Sequence, residues 1–351
     1  MEQNILVGSD LGYGQIKIIS SDEKIKFASV VGTPVSNFGR LAVPVTQQEL
    51  LNTLAITYQG QRYYLGHNAL VNTRNGKFSL RQNKAQSQDN IIKFITSLAL
   101  LTEEDQTYAE FSVVTGLPVL EFKNQRDTLF NMMFNSGSPF KFTMHYGPKD
   151  VEKVIKIKNV KIISQGEGAF YDYALDEFGD IHEDRADSIV GTIMIVDPGY
   201  RTSDIVTMEN GRYLEPLSDQ KNKGVNQLHQ EIAKLIMENF NIKKEAKEID
   251  SLVREGKLFH NMKEYDLSEI ISEAARPFAE DIVEYLHYIS NDQLGSVEKI
   301  LLTGGGSNIL YPHISDLLEG ITEVVLMDNA EYCNASGYYK YGLLLENSGQ
   351  F

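Results

Sequence analysis

Asp10-Leu11-Gly12-Tyr13-Gly14-Gln15-Ile16-Lys17-Ile18 can be laid on Asp197-Pro198-Gly199-Tyr200-Arg201-Thr202-Ser203-Asp204-Ile205, with Asp, Gly, Tyr and Ile at matching offsets. Each copy lies between two apolar runs. Ile5–Val7 precedes the first and Ile16–Ile19 follows it; residues 191–196 (GTIMIV) precede the second and 203–208 follow it. Two β-rich runs around a glycine turn read as a β-hairpin. Asp-x-Gly turns recur by chance in a chain of this length. Taken as a repeat, they mean two related halves, each offering one phosphate-facing hairpin, with a cleft between the halves where both grip one ligand.

The 351 residues suggest about two domains. The composition is ordinary for a globular protein, at 42 % apolar and 23 % charged residues. The formal net charge of −15 argues against a general nucleic-acid surface, because phosphate backbones attract Lys and Arg. One cysteine, Cys333, excludes an internal disulfide framework and a Cys-rich metal site. The N-terminal MEQNILVGSD has no basic stretch followed by a long apolar run, so a cytoplasmic location is expected. The apolar stretch 91–101 is too short for a membrane span of about 20 residues.

Along the chain, residues 33–90 are rich in Gln, Asn and Thr with short strand-like pieces, and read as a small loop-rich insertion or subdomain. Residues 90–101 return to helical spacing, 111–117 read as a buried strand, and 154–163 as another. Gln165-Gly166-Glu167-Gly168 opens a helix over 169–178. In the second half, helices are expected at about 224–240, 244–256 and 267–290. A strand at 298–302 ends in Thr303-Gly304-Gly305-Gly306-Ser307, a helix starts near Asn308, a strand covers 323–326, and the last helix spans about 331–345. The acidic run 176–187 reads as a solvated loop or connection.

Five segments carry candidate chemistry. Gly12 and Gly14 let a backbone approach an anion and expose N–H donors, Lys17 supplies a cation, and Asp10 suits a hydrated Mg²⁺. Gly199, Tyr200, Arg201 and Thr202 repeat the cradle, with Asp197 placed to organise metal-bound water. Read alone, each hairpin is also consistent with a purely structural turn. Gln165 suits an orienter of attacking water and Glu167 a polarising group; a favourable charge at a helix start explains Glu167 equally well. Gly304, Gly305 and Gly306 follow an apolar strand and open a helix, an arrangement that binds anions or lets a flat base lie on the backbone. Lys223 and Gly224 precede a helix and suit a place beside ribose or phosphate, or a simple helix cap. No HExxH, GxSxG or GxxxxGK[ST] pattern occurs.

In order and approximate spacing, DLGYGQIK, SQGEGAF, IVDPGYRTSDIV, LLTGGGSNI and NASGYYKYG resemble the five signature segments of the superfamily of actins, heat-shock chaperones and sugar kinases. Among its members the chain is most similar to bacterial actin-like proteins of the ParM plasmid-segregation type. The resemblance implies an α/β, actin-like (ribonuclease H-like) fold with two duplicated domains flanking a nucleotide cleft. It places domain I at 1–165, with its small subdomain at about 33–90. Domain II would cover 166–330, and a C-terminal helix at 331–351 would return to domain I.

The resemblance also implies ATP, or GTP in its place, with Mg²⁺. Asp10 and Asp197 match the carboxylates that organise metal and water. Lys17 matches a phosphate-contacting lysine, and Gln165 the water-orienting position. Gly304, Gly305, Gly306 and Asn308 match the adenosine segment. The implied activity is ATP hydrolysis coupled to filament assembly, with a basic, DNA-bound adaptor of ParR type on centromere-like DNA as partner and no membrane. Two departures stand out. Pro198 removes an N–H from the second turn, and Arg201 enters it. A small-molecule kinase or a non-polymerising nucleotide-binding scaffold of the same superfamily are the alternatives.

Overall fold

The computed structural model describes residues 4–34, 46–76, 87–186 and 189–351. Contacts divide the chain into two compact units, Met1–Glu183 with Asn334–Phe351, and Asp184–Cys333.

In the first unit, β1 (Asn4–Leu11) and β2 (Gln15–Ile19) form the expected antiparallel hairpin, and β3 (Lys24–Ala28) continues it. Next come β4 (Val31–Gly32), α1 (Gln47–Asn52), β5 (Ala55–Tyr58), β6 (Gln61–Leu65) and α2 (Gly66–Asn72). Helix α3 (Gln88–Ala99) starts at Ser87, whose hydroxyl accepts the Asn90 N–H. It leads into β7 (Tyr108–Leu117), which runs parallel to β1. Helix α4 (Val119–Phe134), β8 (Phe140–Tyr146), β9 (Lys149–Ser164) and α5 (Glu167–Ala174) follow, with β9 parallel to β7. The sheet order is β3-β2-β1-β7-β9-β8-β5-β6-β4. Strand β7 is buried along almost its whole length, as expected of a parallel strand covered on both faces.

The described parts of the 33–90 segment extend this sheet, because β5 pairs with β8 at Ile56–Met144 and Thr57–Thr143. Positions 35–45 and 77–86 of that segment lie outside the described residues. Helix α4 and strand β8 occupy a stretch where no element was expected. The helix expected over 169–178 is α5 and ends at Ala174, where Leu175 turns extended and pairs with Ile181.

The second unit contains β10 (Thr192–Pro198), β11 (Ser203–Glu209), β12 (Arg212–Tyr213) and β13 (Asp219–Lys221). The three expected helices are α6 (Val225–Phe240), α7 (Ala246–Glu255) and α8 (Ser268–Ile289). A hairpin of β14 (Lys257–His260) and β15 (Lys263–Asp266) separates the last two. The unit ends with β16 (Lys299–Leu302), α9 (Ser307–Leu317) and β17 (Glu323–Leu326). The sheet order is β12-β11-β10-β16-β17, with β13 on β11.

The repeat seen in the sequence is therefore a repeat of topology. Strands β3-β2-β1-β7-β9 and β12-β11-β10-β16-β17 follow one plan: three antiparallel strands, then two parallel ones. Even the register is shared. Asp10 stands opposite Lys17, and Asp197 stands opposite Asp204.

The last helix, α10 (Cys333–Asn347), packs in the first unit from Asn334 onward. It crosses α5 at two glycines, where a Cβ on Gly337 would overlap the Gly168 carbonyl. Tyr338 is fully buried at this crossing. Asp172 of α5 accepts Ser336 Oγ at 2.6 Å and pairs with Lys340 Nζ at 2.9 Å. These contacts hold α5 in the first unit, and the two units divide at 183/184. Among the described residues no helix is long and apolar enough to cross a membrane.

Candidate functional site

In the first unit the carboxyl ends of parallel strands β1, β7 and β9 share one sheet edge. Ser9 pairs with Thr115, and Thr115 with Ile162, so Asp10, Gly116 and Ile163 come next in the row. Neighbouring strands lie about 4.8 Å apart, which sets Asp10 and the β9 end roughly 10 Å apart across the edge. Such edges are where open α/β sheets bind ligands. Asp10 is buried, and Lys17 Nζ reaches its Oδ2 at 3.4 Å across the hairpin. At this length the ammonium is only loosely held and keeps donor capacity for a further anion. The turn itself is tight: the Gly14 carbonyl accepts the Ser29 N–H at 2.9 Å, and a Cβ on Gly12 would press on the Gln15 carbonyl at 2.5 Å. The Tyr13 hydroxyl donates to Glu121 Oε1 at 3.0 Å, tying the turn to the first turn of α4.

Gln165 follows directly after β9, with its N–H on the Leu117 carbonyl at 2.7 Å. It thus sits on the same edge as Asp10. Glu167 is buried, and its Oε1 accepts the Ser164 N–H at 2.7 Å, which closes the start of α5. Burial pushes the Glu167 carboxyl up to about 7, although the Ser164 amide and the Lys161 charge pull it down. The folded state therefore prefers the protonated acid. The associated stability is complete below about pH 4.5 and is lost as pH rises through about 7. Between pH 5 and pH 8.5, the unaltered chain should lose up to about 3 kcal/mol more than Glu167→Gln. Urea melts at the two pH values measure this; equal losses would exclude the burial effect.

In the second unit Val196 pairs with Leu302, and Leu302 with Leu326, so Asp197 and Thr303 come next on the equivalent edge. Asp197 is 2 % exposed. Gly304 has φ +84°, and a Cβ there would overlap Asp197 Oδ1, so the carboxylate lies directly on the glycine backbone. The Gly304 N–H and the Thr303 hydroxyl both reach the Ala330 carbonyl, at 2.7 and 3.0 Å. Gly305 is open, with nothing within 4 Å of a built Cβ, whereas Gly306 is closed by Val225 and Pro198. Asn308 is exposed in the first turn of α9.

The turn Gly199–Thr202 is built onto the start of α6. Val225 N–H donates to the Gly199 carbonyl and Asn226 N–H to the Tyr200 carbonyl, both at 2.9 Å. A Cβ on Gly224 would overlap the Arg201 carbonyl carbon, so glycine is required there for close approach. Ser203 Oγ donates to the Lys223 carbonyl at 2.7 Å. Tyr200 and Arg201 are half-buried and Thr202 is buried.

Lys223 was expected beside ribose or phosphate. Its Nζ pairs with Asp281 Oδ2 at 2.9 Å and lies 4.7 Å from the Phe278 ring centre, so its charge is directed at α8. Asp281 was not legible as a partner, because nothing local distinguishes it from the other acids of α8. Glu121, which receives Tyr13, was missed for the same reason. Among the described residues no group of three or more His, Cys, Asp or Glu is arranged to hold a metal ion.

Residues 8–168 match the family model for the N-terminal domain of actin-like proteins, and residues 195–316 that for the C-terminal domain of archaeal MreB-like actin homologues. A 15-stranded ParM filament from Clostridium botulinum has a subunit 23 % identical, with TM-score 0.76, covering 97 % of this chain and 99 % of that one. The actin-like protein Alp7A is 15 % identical, with TM-score 0.82, covering 99 % and 98 %. An archaeal actin homologue in complex with ADP is 18 % identical, with TM-score 0.73, covering 95 % and 98 %. A sequence search of curated proteins gives no match.

Proposed function

This chain belongs to the actin-like proteins and has the actin-like fold, and from that premise we propose that it binds and hydrolyses ATP and assembles into filaments whose lifetime the hydrolysis sets. The observation that carries the reading is the paired construction: each unit places one buried aspartate at the same register of a glycine-turn hairpin, on the carboxyl edge of its parallel strands.

The residues present suit a metal–triphosphate. Each aspartate stands at a turn whose glycines bring backbone close, and among the described residues neither belongs to a multi-acid cage. That suits a cation taking most of its ligands from phosphate oxygens and water, with Asp10 and Asp197 acting through water. When bound, Mg²⁺ would supply charge neutralisation at the phosphates. In the first unit, backbone donors of Gly12, Tyr13 and Gly14 and the Lys17 cation suit phosphate oxygens; in the second, those of Tyr200, Arg201 and Thr202 do, while Gly199 brings the backbone close and gives its own N–H to the Asp197 carbonyl at 2.9 Å. Gly304, Gly305, Gly306 and Asn308 receive the nucleoside, with Gly305 offering the open backbone. Gln165 orients the attacking water, and Glu167, titrating near neutrality, takes part in moving its proton.

Sedimentation with ATP, ADP and a non-hydrolysable analogue, beside calorimetry with each, tests the reading. Pelleting with ATP and its analogue but not with ADP is expected; no nucleotide uptake would overturn it. Gln165→Ala should slow phosphate release at least tenfold and lengthen filament life, and filaments dissolving at the normal rate would remove its role. The likeness to ParM supports a further proposal, plasmid segregation through a basic, DNA-bound adaptor of ParR type. The net charge of −15 fits a filament that meets DNA through such an adaptor. A small basic DNA-binding protein encoded beside this chain, binding its filaments, is the expected partner.

A further inference from the structure

The segment 219–224 is a strap over the phosphate turn of the second unit. Strand β13 pairs with β11, setting Lys221 opposite Ser203 and Gln220 opposite Asp204. Ser203 Oγ holds the Lys223 carbonyl, and the α6 amides just beyond hold the carbonyls of the turn itself. Whatever fixes the strap therefore fixes the backbone of the turn.

The far side of the strap is tied to the middle of α8 by one acid. Lys221 Nζ donates to Asp281 Oδ1 at 2.7 Å and to the Asp281 carbonyl at 3.0 Å, and Lys223 Nζ pairs with Oδ2 at 2.9 Å. Both ammonium groups also lie against aromatic rings of α8, Lys221 at 4.9 Å from the Tyr285 centre and Lys223 at 4.7 Å from the Phe278 centre. Tyr285 in turn donates its hydroxyl to Asp219 Oδ2 at 2.5 Å, closing the strap at its other end. Burial raises the Asp281 carboxyl, but the two lysines outweigh it and hold it below the ordinary aspartate range.

We propose that Asp281 is a positioning residue for the phosphate turn Gly199–Thr202: by holding Lys221 and Lys223 it presses the strap onto the turn, so that nucleotide affinity depends on a carboxylate of α8. The inference rests on the nucleotide-binding reading of that turn. Electrostatics alone predicts the opposite sign. Removing this carboxylate deletes a negative charge and frees two cations, which would tighten an anionic ligand. A loss of affinity thus reports positioning and not charge.

The test uses the full chain with Asp281→Ala, the milder Asp281→Asn, and Asp281→Glu as conservative rescue. Calorimetry with ATP should show affinity about tenfold weaker for Asp281→Ala, with most of it recovered by Asp281→Glu. Hydrogen exchange without nucleotide should speed up several-fold at the Val225 and Asn226 amides, leaving β10 and β16 amides unchanged. If Asp281→Ala does not fold, Asp281→Asn should show the same pattern at smaller amplitude. Unchanged or tighter ATP binding, or unchanged exchange at 225–226, overturns the proposal. Should the unaltered chain take up no nucleotide, the functional reading falls, and exchange at 225–226 alone decides whether Asp281 fixes the turn.

Discussion

Asp197→Asn should slow phosphate release by about 10²-fold, equivalent to roughly 3 kcal/mol of barrier. Asparagine keeps the volume that rests on Gly304, removes the charge and turns one acceptor oxygen into an NH2 donor. The hairpin register, with Asp197 between the Val196 and Pro198 ladder positions, needs no side chain to persist. Fold and melting temperature should therefore stay near those of the unaltered chain while turnover collapses. A single-turnover phosphate assay beside a thermal melt measures both. Turnover within twofold of normal would end the water-organising role given to this residue.

Gly304→Ala should destabilise the second unit by about 2–5 kcal/mol. Two costs add. At φ +84° a side chain carries a left-handed backbone penalty of about 1–2 kcal/mol. The new methyl also overlaps Asp197 Oδ1, and forcing a packed group aside costs about 1–3 kcal/mol. Gly305→Ala supplies the contrast, since its methyl meets nothing within 4 Å and its stability should change by about 0.5 kcal/mol or less. Denaturant midpoints of the two variants should separate clearly. Equal midpoints would mean that the carboxylate does not rest on this glycine.

Both hairpins were legible from sequence because glycine, aspartate and flanking apolar runs are local signals. The same holds for α6, α8 and the strands leading into and out of the Gly304 turn. Helix α4 was not legible. It buries only Val119, Glu121, Leu129 and Met133, while Phe130 and Leu120 stay partly exposed, so no clean apolar stripe appears. The β14–β15 hairpin was hidden by its turn. Asn261 and Met262 take positive φ, 50° and 62°, where glycine would have announced the bend. Strand β8 and the sheet extension through β5 are non-local pairings that periodicity cannot assign.

At the site, residue types were readable and directions were not. Lys223 stands one residue before Gly224, in the place a nucleotide-facing lysine would occupy, yet its charge is turned to Asp281 far along the chain. Glu167 looked like an acid at a helix start, and it is one, through the Ser164 amide. Only its burial shows that it titrates near neutrality. The contact of Asp197 with Gly304 joins two motifs that the sequence could place in order but not in space.

The crossing of α10 over α5 bears on how the polypeptide matures on the ribosome. The first unit is complete only once residues 334–351 have been synthesised, because Tyr338 is buried in it beside Val114 and Ile163. The second unit, by contrast, is one uninterrupted stretch, Asp184–Cys333. The amino-terminal hairpin, with its Asp10 and Lys17, thus belongs to a unit whose last helix leaves the ribosome after the whole of the second unit.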